Sequence, residues 1–129
     1  MDKQRTNPPD KEPALRTTAM PADTNADGDI FGGWLLSQMD LAGANVATRR
    51  ADCRVATVGI DSMSFHKPVY VGDELSCYAT IETVGDTSLT IDIQAWVRRS
   101  RRQEFVHVTE GIFTYVALND DRRPTAIDS

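Results

Sequence analysis

Hydrophobic residues recur at intervals of three and four between residue 30 and about residue 49, and this spacing predicts a helix of about five turns. The apolar positions, among them Trp34, Leu35 and Met39, cover more than half of the helix circumference. Such a helix is normally enclosed by other structure rather than lying on a surface. Asp29 stands just before it as a candidate cap. We therefore expect a central helix with protein packed around most of it.

The chain after the helix is strand-like, with predicted strands over residues 54–65, 75–82, 89–98 and 105–116, and the second and third of these show a two-residue alternation of apolar and polar residues. A shorter strand is predicted over residues 14–20, before the helix. Gly85 and Asp86 predict a hairpin turn, and Gly111 is a candidate position for a β-bulge. The order is one strand, one helix and four strands, which favours an α+β plan with a sheet curled around the helix.

The length of 129 residues is typical of one domain, and at this size a deep active site is often completed by a second subunit. We interpret residues 1–13 as a flexible tail, residues 14–118 as the domain and residues 119–129 as a C-terminal tail. The hydrophobic fraction of 40% and the charged fraction of 26% are those of a globular protein. The sequence has no run of about 18 apolar residues and no signal segment, so we expect no membrane association and a cytoplasmic location.

The formal net charge of -5 argues against a nucleic-acid partner, because binding to phosphates depends on lysine and arginine. The charge is unevenly distributed, since Arg98, Arg99, Arg101 and Arg102 form a local basic cluster. A solvated hairpin tip is the simplest interpretation of this cluster. The two cysteines, at positions 53 and 77, lack metal-ligand spacing with each other or with the histidines, so we expect reduced thiols and no metal.

Two adjacent glycines, Gly32 and Gly33, fall in the first turn of the predicted helix, where glycine costs about 1 kcal/mol relative to alanine. The first amides of a helix have no internal partners, and a glycine lets a ligand approach them closely. A carbonyl oxygen that gains negative charge would be stabilised there, as in an oxyanion hole. Tight packing of the helix on the sheet is an equally acceptable explanation.

Two polar residues flank this glycine pair. Asp40 lies about two turns further along the helix among apolar neighbours, where a carboxylate is costly unless it is paired or exposed. It either faces solvent or a subunit interface, or serves as a general base or nucleophile in a cleft. Asn25, in the preceding loop, either forms a local Asx turn or fixes a water molecule or a carbonyl group.

Three separated blocks of the sequence resemble those of the bacterial short-chain acyl-CoA thioesterases of the hotdog fold, YciA type. The blocks are NADGDIFGGWLLSQMD, TVGIDSMSFHKPVYVGD and AWVRR, and the similarity covers residues 15–117. The resemblance implies a five-stranded antiparallel sheet wrapped around one long helix, paired into dimers and assembled as a trimer of dimers. It also implies hydrolysis of acyl-CoA to a free acid and CoA without a metal or bound cofactor, CoA being part of the substrate and the product.

By position in these blocks, the resemblance assigns the catalytic pair to Asn25 and Asp40, contributed by different hotdog units, and the oxyanion donor to the amide of Gly33. The turn at Asp86 departs from relatives that carry a basic residue there, so a phosphate contact is not carried over to it. His66 is equally well explained as an ordinary, partly buried histidine. The residues implied in binding the CoA ester are Gly32, Ser64, Phe65, His66, Lys67, Arg98 and Arg99.

The sequence is compatible with two other functions. A non-catalytic acyl-CoA sensor would keep the same fold and pocket without turnover. A hotdog dehydratase would need a histidine base with an acidic partner, whereas His66 and His107 lie on predicted strands away from the helix start. The sequence does not decide whether Asp40 is base or nucleophile. Nor does it fix the preferred acyl chain length, for which Trp34, Leu35, Met39 and Phe65 are candidate pocket residues.

Overall fold

The computed structural model describes residues 7–99 and 103–128, so Arg101 and Arg102 of the predicted basic cluster lie outside the described residues. One helix and five strands make up the regular structure, and a 3-10 turn (Pro21–Asp23) precedes the helix. In chain order the elements are β1 (Leu15–Thr18), α1 (Gly32–Ala51), β2 (Arg54–Phe65), β3 (Glu74–Val84), β4 (Ser88–Arg98) and β5 (Phe105–Leu118).

The five strands form one antiparallel sheet in the order β1-β3-β4-β5-β2, and α1 contacts all of them. Alternate residues of β4 point toward the helix and are almost fully buried, as expected for a sheet with one face on the core. The predicted architecture of a five-stranded antiparallel sheet around one long helix is confirmed. The residues that α1 buries against the sheet are Leu35, Met39, Ala42, Gly43 and Ala47.

The start of α1 differs from the sequence prediction. The helix begins at Gly32 rather than at residue 30, its N-cap is Phe31, and no side chain caps it, so the prediction of Asp29 as the cap is wrong. The chain reaches the helix through a bridge between Thr24 and Ile30, which places Asp29 in the preceding loop. The two glycines therefore occupy the first two helical positions, with their amides uncapped by any side chain.

The pairing of β2 with β5 has two register shifts, and the pairing of β4 with β5 has one. Opposite Gly111, the pairing of β2 shifts between Asp61 and Ser64, so the extra residue lies on β2 and not at the glycine. A Cβ at Gly111 would lie 2.2 Å from Sδ of Met63, so the glycine makes room for the methionine of the bulge. Between β4 and β5, Ala95 of β4 pairs with residue 109 and Trp96 of β4 pairs with residue 107. Val108 of β5 is therefore left over as a bulged residue.

The two segments predicted as tails contact the sheet through their described residues, which are 7–13 and 119–128. Nζ of Lys11 donates to the backbone oxygen of Ala79 at 3.0 Å. The C-terminal residues fold back, because the amide of Ile127 donates to the backbone oxygen of Asp86 at 2.8 Å and its side chain is almost buried. Among the described residues, no helix combines the length and the apolar character needed to span a membrane.

Candidate active site

Asp40 lies on α1 with its carboxylate directed at β2 and β5. Its Oδ1 accepts a hydrogen bond of 2.6 Å from Oγ1 of Thr57 and one of 3.0 Å from the hydroxyl of Tyr115. That hydroxyl also lies 3.0 Å from the backbone oxygen of Asp40. The carboxylate is half-buried, so it is neither isolated in the core nor free in solvent. Two hydroxyl groups therefore orient one carboxylate oxygen at a partly open site.

Thr57 and Tyr115 were not found from the sequence. They are direct cross-strand partners in the β2–β5 ladder, so their side chains lie side by side on the face that meets the helix. Burial, and secondly the charge and hydrogen bond of Asp40, raise the pKa of Tyr115 above its usual value, so its hydroxyl stays protonated and continues to donate. A threonine and a tyrosine in an alternating strand look like ordinary sheet residues until the register is known.

Gly43 lies one turn after Asp40 and explains how the tyrosine reaches the helix. A Cβ at this position would lie 2.1 Å from the hydroxyl oxygen of Tyr115 and 2.6 Å from Cδ1 of Ile93. No rearrangement of a flexible side-chain end relieves both contacts, since the tyrosine is fully buried. The missing side chain at Gly43 is thus what lets Tyr115 approach the backbone and carboxylate of Asp40.

The helix start has an open face. A Cβ at Gly32 or at Gly33 would meet nothing within 4 Å, and both residues are exposed. Packing of the helix on the sheet within one chain therefore does not explain these glycines. Uncapped amides at the positive end of a helix dipole are suited to stabilise an approaching negative oxygen.

Asn25 organises the loop before α1. Its Oδ1 accepts hydrogen bonds from the amides of Asp27 at 2.9 Å and Asp29 at 3.1 Å, and its own amide donates to the backbone oxygen of Asp29 at 2.7 Å. This is the Asx-type turn that was one of its two predicted roles. Within one chain no hydrogen bond among the described residues joins Asn25 to Asp40.

The segment predicted to bind the substrate at the end of β2 is fixed by the β5 bulge. The amides of His66 and Lys67 both donate to the backbone oxygen of Val108, at 2.8 and 3.3 Å. The hydroxyl of Thr109 donates to the backbone oxygen of Ser64. Phe65, His66 and Lys67 are exposed, so this segment forms an accessible strip beside the sheet.

The two described arginines of the basic cluster are in ion pairs. Nε of Arg98 lies 3.1 Å from Oε1 of Glu74. Arg99 pairs with the buried carboxylate of Asp73, and its guanidinium lies 4.6 Å from the centre of the Tyr70 ring. Their positive charge is therefore partly neutralised within the chain, whereas Lys67 has no carboxylate partner among residues 7–99 and 103–128.

The candidate pocket residues fall into two groups. Leu35 and Met39 belong to the buried core, whereas Trp34 is half-buried and Phe65 is 58% exposed.

The surroundings of Asp40 do not support the dehydratase alternative, because both side chains that donate to its carboxylate are hydroxyls and neither is an imidazole. One group of side chains with metal-ligating atoms does come together, formed by His66, His107 and Glu110 near the end of β2.

The structure thus combines a sheet wrapped around a helix, an oriented aspartate and two exposed glycines at the start of the helix. A comparison with known protein families identifies one that matches this chain. Residues 27–103 match the model of the thioesterase superfamily, and the chain belongs to that family. The matched range contains α1 with Asp40 and both glycines, and it extends through β4.

Among its relatives, the chain is 47% identical over 124 residues to the acyl-CoA thioester hydrolase YciA of Escherichia coli, covering 94% of each chain. The structure of a hexameric thioesterase from Yersinia pestis has a TM-score of 0.88 and 51% identity, covering 94% of this chain and 99% of that one. A hexameric hotdog fold thioesterase of Campylobacter jejuni has a TM-score of 0.86 and 40% identity, covering 92% of this chain and 91% of that one. The predicted hotdog fold and family are confirmed.

Proposed function

We propose that this protein is an acyl-CoA hydrolase that cleaves the thioester to a free carboxylic acid and CoA. The observation that carries the proposal is the carboxylate of Asp40, fixed through Oδ1 by two hydroxyls while the remainder of the group stays accessible. The activity that relatives carry in their names, at 47% identity over nearly the whole chain, supports the same reaction.

In the proposed reaction, the thioester carbonyl points at the amide of Gly33. Asp40 removes a proton from a water molecule, whose oxygen attacks the carbonyl carbon, and the negative charge that develops on the carbonyl oxygen is stabilised by the helix-start amide. Collapse of this intermediate breaks the carbon–sulfur bond, and the proton held by Asp40 passes to the departing thiolate. No metal or bound cofactor takes part in these steps.

Direct attack by Asp40 is the second version of the chemistry. The carboxylate would then form a mixed anhydride with the acyl group, which water later hydrolyses. A single turnover in oxygen-18 water separates the two versions, because only hydrolysis of an anhydride at the protein carbonyl places the label in Asp40. Label in Asp40 would establish the nucleophilic version, and unlabelled Asp40 would exclude an anhydride that water opens at the protein carbonyl.

We further propose that the active site is formed by two chains of a homo-oligomer, at least a dimer and assembled as a trimer of dimers. Asn25 of one chain would orient the water or the carboxylate of the partner, because the two residues are not joined within a chain. Strand β2 suits the interface: it is an edge of the sheet, and Val58 and Ile60 on it are 59% and 42% exposed. The names of two structural relatives describe hexamers.

For the CoA part of the substrate, we propose that pantetheine follows the exposed strip from Ser64 to Lys67, beside Gly32. Lys67 is the best candidate for a phosphate contact, since Arg98 and Arg99 are already paired with carboxylates. A phosphate would have to compete with Glu74 for Arg98, which is a surface pair, or with the buried Asp73 for Arg99.

A thiol-release assay tests the proposal. Acetyl-, butyryl- and palmitoyl-CoA are incubated with the wild type, with Asp40→Ala and with Asp121→Ala as a control for an exposed aspartate. We expect turnover by the wild type and the control and none above background by Asp40→Ala. If the wild type binds these esters but releases no thiol, the protein is an acyl-CoA sensor and the hydrolase proposal fails.

A further inference from the structure

The group formed by His66, His107 and Glu110 brings three metal-ligating side chains together away from Asp40. One ligand atom of each lies within 4.8 Å of the others. Within this group, Nε2 of His107 lies 3.3 Å from Oε1 of Glu110. The carboxylate of Asp40 is bound by Thr57 and Tyr115 instead, so this group is separate from the proposed hydrolytic residues.

The β5 bulge creates this group. In a regular strand, residues three apart point to opposite faces of the sheet, which would separate the side chains of residues 107 and 110. The extra residue, Val108, shifts the alternation by one, so that His107 and Glu110 project on the same face. The backbone oxygen of Val108 also accepts the amide of His66, which brings the third side chain alongside. The bulge at Val108 thus brings the side chains of His66, His107 and Glu110 together.

The His107 ring is rigidly supported. It is stacked on Trp96, with ring centres 4.7 Å apart and an angle of 16° between the planes. The indole nitrogen of Trp96 in turn donates to Oε1 of Gln94 at 2.9 Å. The His107 side chain is 6% exposed and that of Glu110 is 37% exposed, while His66 is exposed. The group therefore combines a fixed inner ligand with two outer ligands that an ion can reach from solvent.

The distances agree with those of a tetrahedral metal centre. With metal–ligand distances of about 2.0–2.1 Å, two ligands of a tetrahedral zinc ion lie about 3.3 Å apart. His107 and Glu110 already have this separation. The ring of His66 is centred 4.9 Å from that of His107, and a rotation of this exposed side chain would close the remaining distance. Two imidazole nitrogens and one carboxylate oxygen are ligands that suit zinc and neighbouring divalent transition metals.

We propose that His66, His107 and Glu110 form a binding site for a divalent transition-metal ion of the zinc type, with its fourth coordination position open to solvent. The site shares no residue with Asp40 and the two hydroxyls that bind it, although His66 also lies on the strip proposed for pantetheine. Its test is therefore the binding of the metal ion alone, so that failure of this proposal is distinguishable from failure of the proposed function.

Titration with Co²⁺ tests the site, using the full chain without a histidine tag and after treatment with a chelator. The wild type is expected to bind one Co²⁺ per chain, to show the visible absorption bands of a four-coordinate ion, and to lose Trp96 emission through quenching. His66→Ala and Glu110→Gln change accessible side chains, and each is expected to weaken binding at least tenfold. Glu104→Gln, at an exposed glutamate of the same hairpin, is the matched control and should bind as the wild type does.

Thermal unfolding with and without Zn²⁺ provides a second readout that also reports on folding. A bound ion raises the unfolding temperature of the wild type and of Glu104→Gln, and this increase is absent in Glu110→Gln. The proposal is overturned if the wild type does not bind Co²⁺. It is equally overturned if His66→Ala and Glu110→Gln bind as tightly as the wild type, or if Glu104→Gln loses as much affinity as they do.

Discussion

The hydroxyl of Thr57 donates a hydrogen bond of 2.6 Å to Oδ1 of Asp40, across the contact between β2 and α1. The hydroxyl of Tyr115, the cross-strand partner of Thr57, donates to the same oxygen at 3.0 Å. Oδ2 has no hydrogen-bond partner among the residues that the structure describes. One oxygen thus fixes the orientation of the carboxylate, and the other is available for a water molecule or a carbonyl carbon.

Replacing Thr57 by valine should impair catalysis more than folding. The substitution keeps the shape of the side chain and removes a hydrogen bond to a charged group, which is worth about 1.5–3 kcal/mol. We expect kcat to fall about ten- to a hundredfold with little change in KM, because the bond orients a reacting group. Thiol-release kinetics provide the measurement, and Thr57→Ser should restore most of the rate.

The matched control for this variant is Thr90→Val. Thr90 lies on β4, and its hydroxyl forms a hydrogen bond of 2.7 Å with that of Thr83 at an exposed position. Its loss should leave kcat unchanged. Equal reductions of kcat in the two variants would show that Thr57 acts on the sheet in general and not on Asp40.

Gly43→Ala should destabilise the protein. The new methyl group would lie 2.1 Å from the hydroxyl oxygen of the buried Tyr115, so the tyrosine or the helix must shift. Overpacking of this kind costs about 1–3 kcal/mol, although alanine is the better helix former. Urea unfolding should show the loss, and kcat should also fall because Tyr115 no longer reaches Asp40. Unchanged stability would contradict the close approach of the tyrosine.

Gly33→Ala should reduce activity without destabilising the protein. A Cβ at this exposed position meets nothing within 4 Å in the chain, so the free energy of unfolding should be equal or higher by up to about 1 kcal/mol. The methyl group nevertheless lies where the thioester carbonyl is proposed to approach, and kcat should fall at least tenfold. Ser37→Ala, at an exposed position of the same helix, is the control. Full activity of Gly33→Ala would remove this residue from the oxyanion site.

The central helix and the sheet were predictable because they depend on periodicity. The spacing of three and four along α1 and the alternation in β3 and β4 report directly on which face is buried. The first turn was less predictable, since Asp29 is a good capping residue by type but the bridge between Thr24 and Ile30 keeps it in the loop. At this position the path of the chain, and not the capping preference of aspartate, determines where the helix begins.

The surroundings of Asp40 were not predictable for a different reason. Thr57 and Tyr115 are far apart in sequence and meet only through the register of β2 on β5, which bulges at two places. The same holds for His107 and Glu110, whose spacing of three in a strand predicts opposite faces until the bulge at Val108 is known. Bulges leave no clear mark in the alternation of a single sequence.

Two buried groups lead us to expect a loss of stability at alkaline pH. Burial raises the pKa of Cys77 from 9.0 to about 12, and the pKa of Tyr115 is also raised. The folded state therefore holds these protons more tightly than the unfolded state. The stability they contribute is complete below the unfolded pKa values and is lost as the pH rises through the raised ones, by about 1.4 kcal/mol per pH unit for each group.

Urea unfolding at a series of pH values from roughly 8 to 11 measures this dependence. Cys77→Ala should show a smaller decline above pH 9.0, the usual value for its thiol. Cys53→Ala, at a free cysteine that is only half-buried, should decline as the wild type does. If the decline is the same with and without the Cys77 thiol, the buried thiol is not its cause.

Mixed oligomers of two inactive variants test whether the active site is shared between chains. Asn25→Ala and Asp40→Ala are each expected to be inactive, and co-expression with different affinity tags allows hybrid oligomers to be purified. If Asn25 of one chain acts with Asp40 of its partner, a site between an Asp40→Ala chain and an Asn25→Ala chain contains both native residues. One of the two sites in such a heterodimer is then native, so purified heterodimers regain about half of the wild-type activity, and an unselected random mixture of dimers or of trimers of dimers regains about a quarter. If both residues act within one chain, every chain carries a defect and the hybrids stay inactive, which would contradict the two-chain site while leaving the role of Asp40 intact.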